Sequence, residues 1–267
     1  MPRLERPDGA ELHWEAHGEG PTVVITPHAW ALPELFDSLI AELAGDCRTV
    51  LYDARGTGHS SRVGPHDMDT GAADLLAVIE AAGAPAVVAA MADAGGRAAR
   101  AGAERPDLIP AVMGIGTIPI GLEQLRGLDA LVASPTVIDA FLDMLATDYR
   151  GAMRPLMSAV NTQWSEDVVR ERMDKQIEYT PQDVMVERIR AWSEDDPLAA
   201  GQALGDRLWI LLSPDTAGPW FPSPDALDDD LDRLLPQAHR HQIEDGIITR
   251  PELTAEIVRE VLAELGD

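Results

Sequence analysis

The sequence predicts an α/β protein built on a doubly wound, mostly parallel sheet, with an α-helical insertion. Two observations carry this. Short apolar, β-branched runs alternate with segments of helical periodicity along both ends of the chain. Between them, residues 118–204 keep helical periodicity, with several Pro and Met residues and no strand-like run. Repeated β-then-α units imply parallel strands covered by helices on both faces.

Taken in order, "ELHWEAHG" alternates apolar and polar residues as an early antiparallel strand, and "PTVVIT" is a short buried one. "ALPELFDSLIAELAG" has helical spacing with a Gly stop. "CRTVLYD" is the next strand, "DTGAADLLAVIEAAGA" a helix, "PAVVAAMA" a strand and "DAGGRAARAGAERPD" a helix. "IPAVMGIG" follows as a strand; after the insertion come "DRLWILLS", "AHRHQIE" and the closing helix "RPELTAEIVREVLAEL". The division is therefore a core of residues 1–117 and 205–267 and a helical lid of residues 118–204. With 267 residues, 45% of them hydrophobic, one large domain fills its own core.

A formal net charge of −25 opposes contact with nucleic acid or an anionic membrane surface. A small molecule fits better, and a homodimer is compatible with the composition. Acidic runs such as "DALDDDLDR" read as solvated faces that aid solubility. Cys47 stands alone, which excludes an intramolecular disulfide and a cysteine-built zinc site. No pair of histidines has metal-ligand spacing within one helix or strand, so no metal is expected. The N-terminus lacks an apolar signal region and no run reaches membrane-spanning length, which makes cytoplasmic residence the expectation.

Three stretches give the chain a resemblance to the lid-bearing α/β-hydrolase fold. "VVITPHAW" resembles the strand and loop that supply an oxyanion-hole amide; "YDARGTGHSSR" is close to the Asp-x-Arg-Gly-x-Gly-x-Ser segment; "MADAGG" stands at the nucleophile elbow. The elbow needs small flanking residues so that the helix packs close, which Ala92, Ala94, Gly95 and Gly96 meet. The resemblance puts Asp93 on its central position. It also implies a His after the last strand, but "HQIEDGIITRPEL" carries none beyond His241, and Glu244 or Asp245 stands near that slot. After "LWILL", Ala217 or Gly218 falls where the acid is expected, with Asp215 as a displaced acid.

Without that His, an ester on Asp93 would have nothing to activate water. The expected chemistry is proton abstraction beside a carbonyl by Asp93, as in a lyase or cyclase of natural-product biosynthesis that eliminates acetate. The backbone amides of Ala94 and of Ala29 or Trp30 would hold the enolate, and no cofactor is called for. Burial is expected to raise the Asp93 pKa and so strengthen it as a base. His28 is a secondary general acid, and Trp30 and Trp220 contact an apolar substrate. Two alternatives stand beside this: a hydrolase with Asp93 as nucleophile, of the epoxide hydrolase or dehalogenase kind, and a non-catalytic small-molecule binder. His239 and His241 share one strand face and read as structural, and His59 as solvent-facing. His13, His17 and His66 read as loop or edge residues.

Overall fold

The computed structural model describes residues 3–26, 28–29, 32–124, 134–160, 164–212, 224–242 and 250–266. Eight strands form one sheet: β1 (Arg3–Glu5), β2 (Glu11–His17), β3 (Thr22–Thr26), β4 (Arg48–Tyr52), β5 (Ala86–Met91), β6 (Val112–Ile115), β7 (Leu208–Leu212) and β8 (His239–Gln242). Their order is β1-β2-β4-β3-β5-β6-β7-β8. β1 and β2 are antiparallel to each other and β2 to β4; every later pairing is parallel. The expected α/β class and mostly parallel sheet are thus present, with β1 as an added edge strand.

The central strands are apolar along their whole length because both faces are covered. Val24, Val88 and Ala90 point into one core layer with helices α2 (Met68–Ala82) and α3 (Ala94–Glu104), while Val23, Ile25, Val87, Ala89 and Met91 point into the other. Helices α1 (Asp37–Leu43) and α10 (Pro251–Gly266) close that second face. α2 shows how local sequence sets an element: the Asp67 side chain accepts the Thr70 amide at its start, and Gly83, at φ 93°, ends it. The acidic run forms part of α9 (Pro224–Leu234), which buries Leu227, Leu231 and Leu234 at helical spacing.

Between β6 and β7 lie α4 (Pro135–Thr147), α5 (Tyr149–Val160), α6 (Glu166–Tyr179), α7 (Gln182–Ser193) and α8 (Leu198–Leu204), and no strand occurs there among the described residues. Met153, Met157, Met173 and Met185 fill a separate core under α4 to α7. α8 instead packs into the layer of α3 through Leu198 and Leu204. Ala29, from the loop after β3, belongs to the helical insertion's core. The insertion is therefore seated on the ends of the parallel strands.

The strand order reverses at β3, whose neighbours β4 and β5 carry the chain to opposite sides. A crevice opens outside the carboxyl ends of strands at such a point. The loops after β3 and β5 meet there.

Candidate functional site

β5 ends at Met91 and α3 begins at Ala94, so two residues make the whole turn. Ala92 has φ 42°, and among the described residues it is the one non-glycine with positive φ. Its carbonyl accepts from Thr117 Oγ1 at 2.6 Å and from the Gly95 amide at 3.1 Å, which holds the turn in place. Gly95 has no room for a side chain, since a Cβ would overlap Thr117. These are the properties of a strained strand-to-helix elbow, whose apex residue presents its side chain at the strand tip.

The apex is Ala92 and not Asp93, one residue earlier than the sequence reading puts it. Asp93 sits at φ −60°, ψ −13°, in ordinary helical conformation as the residue preceding α3. The amide that follows an elbow apex serves an oxyanion hole; here it is the amide of Asp93, and Ala94, expected in that role, lies one residue further on. The shift arises because Ala90, Ala92 and Ala94 are alike in size, so side-chain volume marks no register.

Asp93 is buried and its carboxylate is fully engaged. Oδ1 accepts the Ala29 amide at 2.7 Å. Oδ2 accepts Arg188 Nη2 at 3.1 Å and lies 3.5 Å from Arg97 Nη1. Arg97 is on α3, four residues after Asp93; Arg188 comes from α7 in the insertion. Ala29 is held at its carbonyl too, which accepts Thr180 Oγ1 at 3.1 Å and Gln176 Nε2 at 3.3 Å. The amide expected to hold a reacting oxygen thus holds the protein's own carboxylate.

Burial is the largest influence on the Asp93 carboxyl and acts to raise its pKa, but Arg188, Arg97, His28 and the Ala29 amide together outweigh it and leave the pKa below the usual carboxylate value. The expected strengthening as a base is thereby reversed. His28 is also buried, and burial pushes it down to about 4, against the pull of Asp93 and with the help of both arginines. At neutral pH it is an uncharged imidazole. Tyr52 Oη and Thr26 Oγ1 share a hydrogen bond of 2.9 Å in the same interior.

A cleft beside this cluster is lined by Tyr52, His66, Thr70, Gly71, Arg97 and Arg188 among others. Trp30, Asp215, Ala217, Gly218, Trp220, Glu244 and Asp245 lie outside the described residues. His239 and His241 both stack on Trp209, with ring centroids 4.1 Å and 5.4 Å away, in the structural role their spacing suggests. Sequence reading missed both arginines. Arg97 carried a signal, its i,i+4 spacing from Asp93 on a helix; Arg188, 95 residues away, carried none.

A second cluster lies at the end of β4. Asp53 Oδ2 is 3.1 Å from His13 Nδ1 and 3.4 Å from His59 Nδ1, while Oδ1 accepts Tyr179 Oη at 2.6 Å. His13 is a buried strand residue and not a loop or exposed edge one, because β2 pairs with β4 and is covered. His59 is exposed, as its loop position implies.

Comparison with known proteins agrees with this architecture. The model of a family described as "Alpha/beta hydrolase family" matches residues 16–262. Solved structures similar to the chain include an enol-lactonase from Burkholderia xenovorans LB400, at 19% identity and TM-score 0.74 with all of both chains covered. A bromoperoxidase from Bacillus anthracis is similar at 18% identity and TM-score 0.79, covering 98% of this chain and 97% of that one. An esterase from Exiguobacterium antarcticum is similar at 15% identity and TM-score 0.78, covering 97% and 98%. No curated protein matches the chain in sequence.

Proposed function

The chain belongs to the alpha/beta hydrolase family, and from that membership we propose that it binds a small molecule non-covalently at the switch point of the sheet, without the acyl-transfer chemistry of its fold. The observation that carries this reading is Ala92 at the elbow apex, where φ is 42°. A methyl group can neither attack a carbonyl nor carry an ester. The adjoining amide of Ala29 is held by Asp93, so an incoming oxyanion would have to displace a carboxylate paired with two arginines. Arg97 and Arg188 both line the adjoining cleft, which favours a ligand bearing a carboxylate of its own, bound beside Asp93 and not in its place. The lyase reading has weaker support, because a carboxylate with a lowered pKa is a poorer base.

Hydrolysis with Asp93 as nucleophile is the second reading. It is favoured by the ionised state of Asp93 and by esterase and enol-lactonase names among the similar structures. One experiment separates the two. The protein is incubated in oxygen-18 water with aryl esters, lactones, epoxides and haloalkanes, product is measured, and the peptide containing Asp93 is weighed. Non-covalent binding predicts no turnover above buffer and no label, alongside thermal stabilisation by small carboxylates that is lost in Arg188→Gln. Turnover with label in Asp93 would replace the first reading by the second. Turnover with label in neither Asp93 nor the product, abolished in Asp93→Asn, would restore elimination.

A further inference from the structure

We propose that His13, Asp53 and His59 form a binding site for a divalent transition ion of the zinc type, at the end of β4 and separate from the Asp93 cluster. One carboxylate and two imidazoles, the ligand set zinc favours, converge from three places: β2, the end of β4 and the loop that follows it. Asp53 Oδ2 lies 3.1 Å from one imidazole nitrogen and 3.4 Å from the other. Zinc bonds of about 2.0–2.2 Å in tetrahedral arrangement set neighbouring ligand atoms about 3.3–3.6 Å apart, so both spacings already approximate edges of such a polyhedron. The three ligand atoms all lie within 4.8 Å of one another, and the exposed His59 ring is free to close the remaining gap.

The surroundings hold the carboxylate as a ligand must be held. The His59 amide donates to Oδ2 at 2.8 Å and Tyr179 Oη to Oδ1 at 2.6 Å, fixing the carboxylate plane. Gly58, at φ 49°, brings the loop down onto Asp53, where a Cβ would overlap the carboxylate itself. The backbone of His13 is pinned from both sides: its amide donates to Ser60 Oγ at 2.9 Å and its carbonyl accepts the Asp53 amide at 3.0 Å. The His13 nitrogen that faces Asp53 is Nδ1, so ligation through it leaves the ring proton on the buried Nε2. The exposed side of His59 leaves a coordination position for water. A net charge of −25 concentrates cations around the molecule as a whole.

Such a site ties β2, β4 and the loop together, and through Tyr179 it reaches the helical insertion. The test uses the full chain after treatment with a chelator, titrated with Zn2+ against a chromogenic competitor and, separately, with Co2+ read by its visible absorption. The expected result is one ion per chain, Co2+ bands of the intensity that four- or five-coordinate sites give, and a raised melting temperature in Zn2+. His59→Ala, an exposed substitution that leaves the fold intact, should weaken binding by about tenfold or more, the scale of a lost site contact. His17→Ala, an exposed control on β2, the strand that carries His13, should leave it unchanged. Absence of stoichiometric binding, or affinity that survives His59→Ala, would overturn the site; equal loss in both variants would assign the metal to general surface binding and overturn it too.

Discussion

Two carboxylates stand just beyond the ends of parallel strands, both buried and both reached by a side chain from the helical insertion. Asp93, after β5, meets Arg188; Asp53, after β4, meets Tyr179. The difference is in the remaining partners. Asp93 faces two guanidiniums, whose planar sets of donors match a carboxylate's geometry. Asp53 faces two imidazoles, which can ligate a metal, and a phenol that donates to its other oxygen. Arginine partners make a carboxylate a fixed part of the fold, whereas histidine partners leave it open to exchange. The residue that looks catalytic in sequence is thus the more rigidly occupied of the two.

The largest expected effect comes from breaking the fixed cluster. Asp93→Asn keeps the shape but leaves the Arg188 charge buried without a carboxylate, and should destabilise by about 3–5 kcal/mol in urea unfolding. A loss under about 1 kcal/mol would erase the contrast between the clusters.

His28 has a folded pKa near 4, below its unfolded value of about 6.5, so below pH 6.5 the unfolded chain gains protons first. Stability should fall as pH drops from about 6.5 to about 4, by about 3 kcal/mol in all at 1.36 kcal/mol per unit. Asp93 has the same sign at lower pH: its contribution is complete above the unfolded value of about 3.9 and is lost as pH falls through its depressed folded value. His28→Gln should flatten the upper part of this decline and leave the lower part in place. An unaltered profile would mean that His28 is charged in the folded protein.

How far sequence carries a reader differs between the fold and the clusters. The sheet was legible because each core strand is a continuous apolar run and each helix keeps a 3.6-residue period, signals that repeat many times. The elbow rests on a single backbone dihedral, and in "AMADAGG" every position but two is small, so Asp93 drew the attention that belonged to Ala92. Arg188 and the three-element histidine cluster are joined only by folding; a search for ligand pairs within one helix or strand passes over His13, Asp53 and His59. The run from 213 to 223 and that from 243 to 249, where Asp215, Glu244 and Asp245 fall, lie outside the described residues.

Smaller effects test the backbone of each turn. Gly58→Ala places a side chain at φ 49° against Asp53 and should cost about 1–3 kcal/mol in thermal or chemical unfolding, together with weaker zinc binding. Full stability in that variant would show that the loop does not rest on the carboxylate. Ala92→Gly relieves a positive φ and should stabilise by up to about 1 kcal/mol. Destabilisation there would mean that the apex methyl contributes packing that outweighs its strain.

The central claim is that Asp93 is a fixed anion and not a base. Carbon-13 NMR of the aspartate carboxyls, assigned by comparison with Asp93→Asn, measures this directly as pH is lowered. The Asp93 signal should stay in its ionised position while exposed aspartates begin to titrate, and should move only below about 3.9. A midpoint raised toward neutrality would contradict it and return Asp93 to the role of general base.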